Sequence, residues 1–188
     1  MKNANTLKKE ILALKEANPK LRQRDLAHEV GISEAQLLSL NMDDGVTRLT
    51  GDWKNMLQMV HKIGRVMVLT RNEHAVHERK GVYDNVEFYS GPHNMGVAVN
   101  PDIDLRFFMN EWKYGFAVEM PRGNTKLYSY QFFNAEGEAV HKIYTTPQSN
   151  LDAYHQLITL FKSSKQTFLK EVEPTKPKEK NDRPDEEI

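Results

Sequence analysis

The 188-residue sequence contains no cysteine, which excludes disulfide bonds, thiolate zinc sites, cysteine-held iron–sulfur clusters and cysteine nucleophiles. It also lacks an excess of charge of either sign, because 26 Lys and Arg balance 26 Asp and Glu. Proteins that bind nucleic acid or anionic membranes through their overall field need surplus basic residues. Because cysteine is absent, a bound metal must be held by His, Tyr, Met or carboxylates. Because the charges balance, we expect no nucleic-acid partner that is attracted by net charge.

Long hydrophobic runs and phosphate-binding glycine loops are also missing. The opening residues MKNANTLKKEILALKEANPK mix charged and apolar side chains, unlike a signal peptide or a membrane helix. We therefore expect a cytoplasmic protein without a membrane partner. Neither a Walker loop nor a GxGxxG loop occurs, and the seven histidines form no HxH or HExxH spacing. A doubly wound nucleotide-binding fold and a classical zinc site are both disfavoured.

The pattern of apolar residues predicts one folded domain over residues 1–171. Residues 1–64 are predicted to be mostly helical, with a break at Asn18-Pro19, a cap at Ser33, and a helix that starts behind an Asp52 cap and stops at Gly64. A further helical segment is predicted over 150–170. The last residues, 172–188, hold four basic and six acidic residues and three prolines, which predicts a disordered tail or an inter-repeat linker.

Residues 65–145 are rich in β-branched and aromatic side chains, which predicts six or seven strands in one large meandering antiparallel sheet. Helices followed by a block of strands and a C-terminal helix indicate an α+β fold. The strands are separated by predicted turns at RKG (79–81), SGP (90–92), NP (100–101), RGN (122–124) and EGE (136–138).

The segment LRQRDLAHEVGISEAQLLSL has the spacing of a helix-turn-helix motif, with Gly31 between two helices. Its second helix begins Ser33-Glu34-Ala35-Gln36 and offers no Arg or Lys to guanine edges or phosphates. We therefore favour a plain helical hairpin and keep a DNA-binding regulator as a remote alternative.

The segment PDIDLRFF is the most informative one for a binding site. Strand alternation places Ile103, Leu105 and Phe107 on one face, and Asp104, Arg106 and Phe108 on the other. A guanidinium beside an aromatic ring suits a flat, anionic ligand. The alternative is a surface Arg106 that pairs with Asp104, and the segment alone does not decide between them.

The histidines near residue 75 offer a second candidate. Strand geometry puts His77 on the face opposite His74, so either one, but not both, can face a cleft. Histidines of this kind are more often hydrogen-bonded surface residues than ligands. No Ser-His-Asp arrangement or paired-acid motif is visible in the local sequence, so hydrolase chemistry has no support.

Several blocks of the sequence resemble the haemin-degrading, haem-utilisation (HemS/ChuX-like) family of bacterial cytoplasmic proteins: EANPKLRQRDLAHEVGISEAQL, RNEHAVHERKGVYDNV, NPDIDLRFFMNEWKYGFAVE, QFFNAEGEAVHKIY and SNLDAYHQL. The resemblance implies a haem-binding protein in haem uptake and iron acquisition, with helices packed on a large antiparallel sheet. It implies that Arg106, in the DLR motif, approaches the distal face of the haem, with Phe108 nearby. His77, in the VHE motif, is then the best local candidate for the haem iron ligand.

The resemblance leaves activity and assembly open. Family members are described as haem carriers, as haem stores, or as enzymes that open the porphyrin ring, and an enzyme would need an external electron donor. The chain resembles the N-terminal repeat of longer two-repeat members, whose main axial histidine lies in the second repeat. We therefore expect either a second repeat of the same fold or a homodimer as the partner.

Overall fold

A computed structural model describes residues 2–42, 44–71, 76–92 and 94–174 of the chain. His74 and most of the predicted tail, from residue 175 onward, lie outside the described residues. Within the described ranges, no helix is both long enough and apolar enough to cross a membrane.

Five α-helices lie in the described ranges, at places where the sequence supplies apolar periodicity and N-terminal caps. Asn3 accepts a hydrogen bond from the Thr6 backbone N–H at the start of the first helix, and Ser33 and Gln36 form a capping box at the third. The helices are α1 (Ala4–Ala17), α2 (Gln23–Val30), α3 (Glu34–Ser39), α4 (Trp53–Met59, continued by a 3-10 turn at Val60–Ile63) and α5 (Leu151–Phe161).

The strands form two antiparallel sheets. They are β1 (Val46–Arg48), β2 (Arg65–Arg71), β3 (Val76–Val82), β4 (Val86–Tyr89), β5 (Met95–Val99), β6 (Asp104–Phe108), β7 (Tyr114–Arg122), β8 (Thr125–Phe133) and β9 (Ala139–Thr145). The large sheet has the order β1-β7-β8-β9-β2-β3, and the small sheet has the order β4-β5-β6. The predicted α+β fold, with N-terminal helices, a large antiparallel sheet and a C-terminal helix, is confirmed. Residues 65–145 contribute eight strands instead of six or seven, and three of these form the second, small sheet.

The turn predicted at RKG (79–81) is also wrong, because these residues lie inside β3. A Cβ atom on Gly81 would come within 2.7 Å of the Asp102 Cβ and 3.0 Å of the Ile103 side chain. The glycine is therefore needed for the close approach of β3 to the segment that leads into β6. The chain instead turns just before β4, where Asn85 adopts a positive φ of 52°.

Two predicted helix ends differ in detail. Asp52 precedes α4, but its carboxylate accepts from the Asn55 side-chain amide at 2.8 Å and makes no capping bond to a backbone N–H. The C-terminal helix ends at Phe161, short of the predicted residue 170. Beyond it, the buried Leu169 packs with half-buried Val172 against the cluster around Phe133. The first residues of the predicted tail thus contact the folded body.

The large sheet separates two packed layers. One face, with Tyr130 and Phe132 of β8, packs against α4, α5 and the small sheet. On the other face, Phe116 and Phe133 pack against α3. Because Leu105 and Phe107 of β6 are buried in the first layer, the alternate side chains of β6 point away from it. This packing fixes the orientation of the residues described next.

Candidate functional site

The described part of the chain contains a cleft of about 1120 Å³ between the small sheet, one end of the large sheet and the helices α2 and α3. This volume lies at the top of the range that proteins use for small-molecule ligands and cofactors. Strand residues on its walls are Thr70, His77, Arg106, Phe107, Phe108 and His141, and helix and loop residues include Arg24, His28, Gly31, Ser33, Glu34, Glu111 and Trp112.

Strand β6 supplies a cation and an aromatic ring to the cleft, because its residues alternate as predicted. Leu105 and Phe107 are 3% and 4% exposed, whereas Phe108 is 50% exposed. The Arg106 side chain is 66% exposed, and its Nη1 lies 3.7 Å from the Asp104 carboxylate. Arg106 therefore lines the cleft and also approaches Asp104. The surface pair is present, and binding of a flat, anionic ligand by Arg106 stays a prediction. A guanidinium this exposed is free to reorient toward a ligand.

A row of three polar side chains crosses the large sheet at the cleft. Thr70 of β2 pairs with His141 of β9 on one side and with His77 of β3 on the other. Paired residues of antiparallel strands project to the same face, and all three line the cleft. The row runs from the buried His141 to the exposed His77.

His141 is held in a largely aromatic environment, with 1% of its surface exposed. Its ring centroid lies 5.3 Å from that of Trp112 and 6.2 Å from those of Phe107 and Phe132. Its Nδ1 is 3.2 Å from Thr70 Oγ1, and its Nε2 is 3.4 Å from the hydroxyl of Tyr83. Complete burial lowers the pKa of His141 to about 3. The imidazole is therefore neutral at physiological pH.

The helical wall of the cleft comes from the junction of α2 and α3. Gly31 has a φ of 77°, in the left-handed region, and its N–H bonds to the carbonyls of Ala27 and His28. Every residue of α3 is buried. A recognition helix must expose the face that reads bases, so α3 cannot enter a DNA groove in this fold. The helical hairpin is therefore the better interpretation of this segment.

The charges of the cleft are mixed. Arg24 and Arg106 lie on opposite walls, but five glutamates also line the cleft: Glu34, Glu111, Glu136, Glu138 and Glu173. An anion is thus not attracted by the overall charge and must contact an arginine directly. This distribution also disfavours nucleic acid at the cleft. Among the described residues, no group of three or more His, Asp or Glu could hold a metal ion.

A buried ion pair anchors the helical wall to the sheet. Lys142 of β9 donates to the Glu34 carboxylate at the start of α3, with the side chains 11% and 6% exposed. Glu34 also lines a second cavity of about 250 Å³ on the opposite face of the sheet. Glu34 therefore borders both cavities and Lys142 borders the smaller one, and the low exposure of both side chains shows that water reaches little of the pair.

All three residues singled out from the sequence, Arg106, Phe108 and His77, line one cleft. His74 lies outside the described residues. Sequence reasoning missed Thr70, Trp112 and His141, which were not assigned to any site. The alternation of His141 with the buried Ile143 on β9 is a local signal that could have placed His141 on the inner face.

Comparison with known proteins gives consistent matches. A family model for the haemin-degrading HemS.ChuX domain matches residues 31–161. The hemin transport protein HemS of Yersinia enterocolitica is 35% identical over 159 residues, which cover 84% of this chain and 45% of that protein.

Solved structures agree with these matches. Holo-PhuS, a heme-binding protein from Pseudomonas aeruginosa, is 34% identical with a TM-score of 0.87, over 95% of this chain and 51% of that one. The heme-degrading enzyme ChuS of Escherichia coli O157:H7 is 30% identical with a TM-score of 0.79, over 93% of this chain and 52% of that one. This chain thus spans about half the length of each of these relatives.

Proposed function

Because this chain belongs to the haemin-degrading HemS/ChuX family, we propose that it binds haem in the cleft beside β6 and acts in haem uptake and iron acquisition. One observation carries the proposal: His77 on β3 lines the same cleft as Arg106 and Phe108, which are neighbours on β6 and lie in a different sheet. Binding of heme by the related PhuS is consistent with it. Cytoplasmic localisation is part of the same proposal.

The chemistry of the cleft fits haem. A porphyrin is flat, apolar over most of its surface and anionic at its two propionates, so it needs aromatic walls and a small number of cations. Phe107, Phe108 and Trp112 supply the walls, and Arg24 and Arg106 supply the cations. Imidazole nitrogens are good ligands for haem iron, and His77 offers one at the cleft. The residues present therefore suit this ligand.

Each candidate residue has a separate role in the proposal. Arg106 would contact the propionates or other polar groups of the haem, and Phe108 would cover part of the ring. His77 would bind the iron. When bound, haem itself supplies the capacity to activate oxygen, and ring opening would also need an external electron donor. The protein contributes orientation of the ring and control of water at the cleft.

A haem carrier is the second candidate function, and the exposure of the cleft favours it. The Arg106 side chain is 66% exposed and Phe108 is 50% exposed, so a ligand at this wall remains open to a partner protein. Incubating the haem-loaded protein with a reductant separates the two candidates. Loss of the Soret band with release of iron supports ring opening, and a stable Soret band supports a carrier.

Replacing Arg106 by alanine is expected to weaken haemin binding about tenfold, because a charge-assisted hydrogen bond to the ligand is lost at an exposed site. The measurement is a haemin titration that follows the Soret absorbance. Arg122→Ala, at the exposed end of β7 and outside the cleft, is the matched control and should bind like the unmodified chain. Equal affinity of the Arg106 variant would remove this residue from the haem site.

Replacing His77 by alanine is expected to shift the Soret maximum of the haemin complex, because the iron loses its imidazole ligand. His61→Ala, at an exposed histidine outside the cleft, is the control. An unchanged spectrum with intact binding would show that another group ligates the iron and would leave haem binding itself standing.

The stoichiometry of the same titration tests whether two copies of the chain share one haem site. We propose that the cleft is completed by a second repeat of the same fold or by a second copy of the chain. One haem for every two chains supports a shared site in a homodimer, and one haem per chain supports a self-sufficient cleft. Absence of binding to the isolated chain would contradict ligation by His77.

A further inference from the structure

The polar row beside His77 contains a hydroxyl whose orientation is determined by buried neighbours. Thr70 Oγ1 lies 3.2 Å from His141 Nδ1, and the Tyr83 hydroxyl lies 3.4 Å from His141 Nε2. A neutral imidazole carries one N–H, so one of its nitrogens donates and the other accepts. The choice between the two tautomers decides where the proton of each hydroxyl points.

Burial selects the tautomer. Tyr83 is completely buried, and burial raises the pKa of its hydroxyl, which therefore keeps its proton. If Nε2 carried the imidazole proton, the Tyr83 O–H would have no acceptor in the contacts of the described residues. Leaving a buried donor unpaired disfavours that arrangement by roughly 5- to 150-fold. The Nδ1–H tautomer is therefore the stable one, with Tyr83 donating to Nε2.

The same tautomer determines the role of Thr70. His141 Nδ1–H then donates to Thr70 Oγ1, so the proton of Thr70 cannot point toward His141. Thr70 is only half buried and lines the cleft, next to His77 in the strand register. Its hydroxyl proton therefore points away from His141 and can be donated to a ligand in the cleft.

We propose that Thr70 is a hydrogen-bond donor to an oxygen acceptor of the bound ligand, and that Tyr83 and His141 hold its hydroxyl in the donating orientation. The inference rests on the proposed function for the identity of the ligand. Two sources of the acceptor share this chemistry: a propionate of the porphyrin, or a water or anion at the iron. Tyr83 and His141 act as positioning residues.

The tautomer is tested in the ligand-free protein by ¹⁵N NMR of the His141 imidazole. We expect a protonated Nδ1 and an unprotonated Nε2, and a Tyr83→Phe variant should raise the Nε2–H population because the donor to Nε2 is removed. A protonated Nε2 in the unmodified protein would overturn the proposal. This readout does not depend on haem.

The donor role is tested by haemin titration of Thr70→Val, which keeps the shape of the side chain and removes the hydroxyl. We expect about three- to tenfold weaker binding and recovery to within about twofold in Thr70→Ser. Thr145→Val, on β9 and outside the cleft, is the control. Equal affinity of Thr70→Val and the unmodified chain would overturn the proposal.

Iron-free protoporphyrin IX separates the two acceptors, since it retains the propionates. A loss of affinity that persists with this ligand identifies a propionate, and a loss confined to haemin identifies a group at the iron. If the unmodified chain binds no haemin, ligation by His77 in the isolated chain fails, and the ¹⁵N NMR result still decides whether Tyr83 and His141 orient the Thr70 hydroxyl. If it binds and Thr70→Val binds equally well, only the donor role fails.

Discussion

Replacing Lys142 by methionine is expected to lower the free energy of unfolding by about 3–5 kcal/mol, since the Glu34 carboxylate is left buried without its partner. The Glu34 side chain is 6% exposed and that of Lys142 is 11% exposed, so water can replace little of the lost interaction. A domain of this size is stabilised by about 5–15 kcal/mol in total. Urea denaturation at neutral pH measures the change.

The double variant Glu34→Leu with Lys142→Met tests whether the loss of stability comes from the unpaired Glu34 carboxylate. Apolar residues in place of both charges remove the cost of burying them, so the double variant should be more stable than Lys142→Met alone. Lys126→Met is the matched control, because Lys126 and Glu119 form a more exposed pair at 3.4 Å and its loss should cost about 0–1 kcal/mol. A loss below 1 kcal/mol for Lys142→Met would mean that solvent already screens the buried pair.

The ion pair also bears on the cleft. Ser33 and Glu34, at the start of α3, line it, and Lys142 connects this helix to β9. A destabilised pair therefore loosens one wall of the proposed haem site, while Arg106 and Phe108 on β6 keep their places. If the Lys142 variant binds haemin more weakly, we would attribute the loss to a displaced α3, because Arg106 and Phe108 are unchanged.

The parts of the fold that follow from local pattern were predictable from the sequence. Alternation in DLRFF places Arg106 and Phe108 on the face opposite Leu105 and Phe107, and the structure has the same arrangement. The last helix begins where the segment predicted over 150–170 begins, with Asn150 accepting a hydrogen bond from the Ala153 N–H as its cap. These features depend on residues within a few positions of each other, because the repeat of a helix or strand determines the face on which each nearby side chain lies.

The features that were missed depend on contacts between distant segments. Gly81 marks the close approach of β3 to the segment that leads into β6, and its sequence context, RKG, is also that of a turn. The division of the strands into two sheets is likewise set by pairing over long separations. His141 meets Thr70 and Tyr83 across 71 and 58 positions of the chain, so no local motif reveals that the three form one hydrogen-bonded unit.

The stability of the protein is expected to fall on acidification through His141. Burial holds the pKa of His141 at about 3, against 6.5 for the free side chain. Between these two pH values, the unfolded chain binds a proton at this position and the folded chain does not. The contribution of His141 is thus complete above pH 6.5 and decreases as the pH falls toward 3, by about 1.4 kcal/mol per pH unit.

A His141→Gln variant isolates this effect from the titration of carboxylates. The variant lacks the imidazole, so its deficit in the free energy of unfolding relative to the unmodified chain should shrink by about 2 kcal/mol between pH 6.5 and pH 5. Exposed His61, replaced in the same way, controls for the loss of a histidine. A deficit that stays constant over this range would mean that His141 becomes protonated in the folded protein.

In a protonated imidazole both Nδ1 and Nε2 donate, so the Tyr83 hydroxyl would have to accept a hydrogen bond from Nε2. The hydrogen-bond arrangement that the neutral ring imposes on Tyr83 and Thr70 would then not apply.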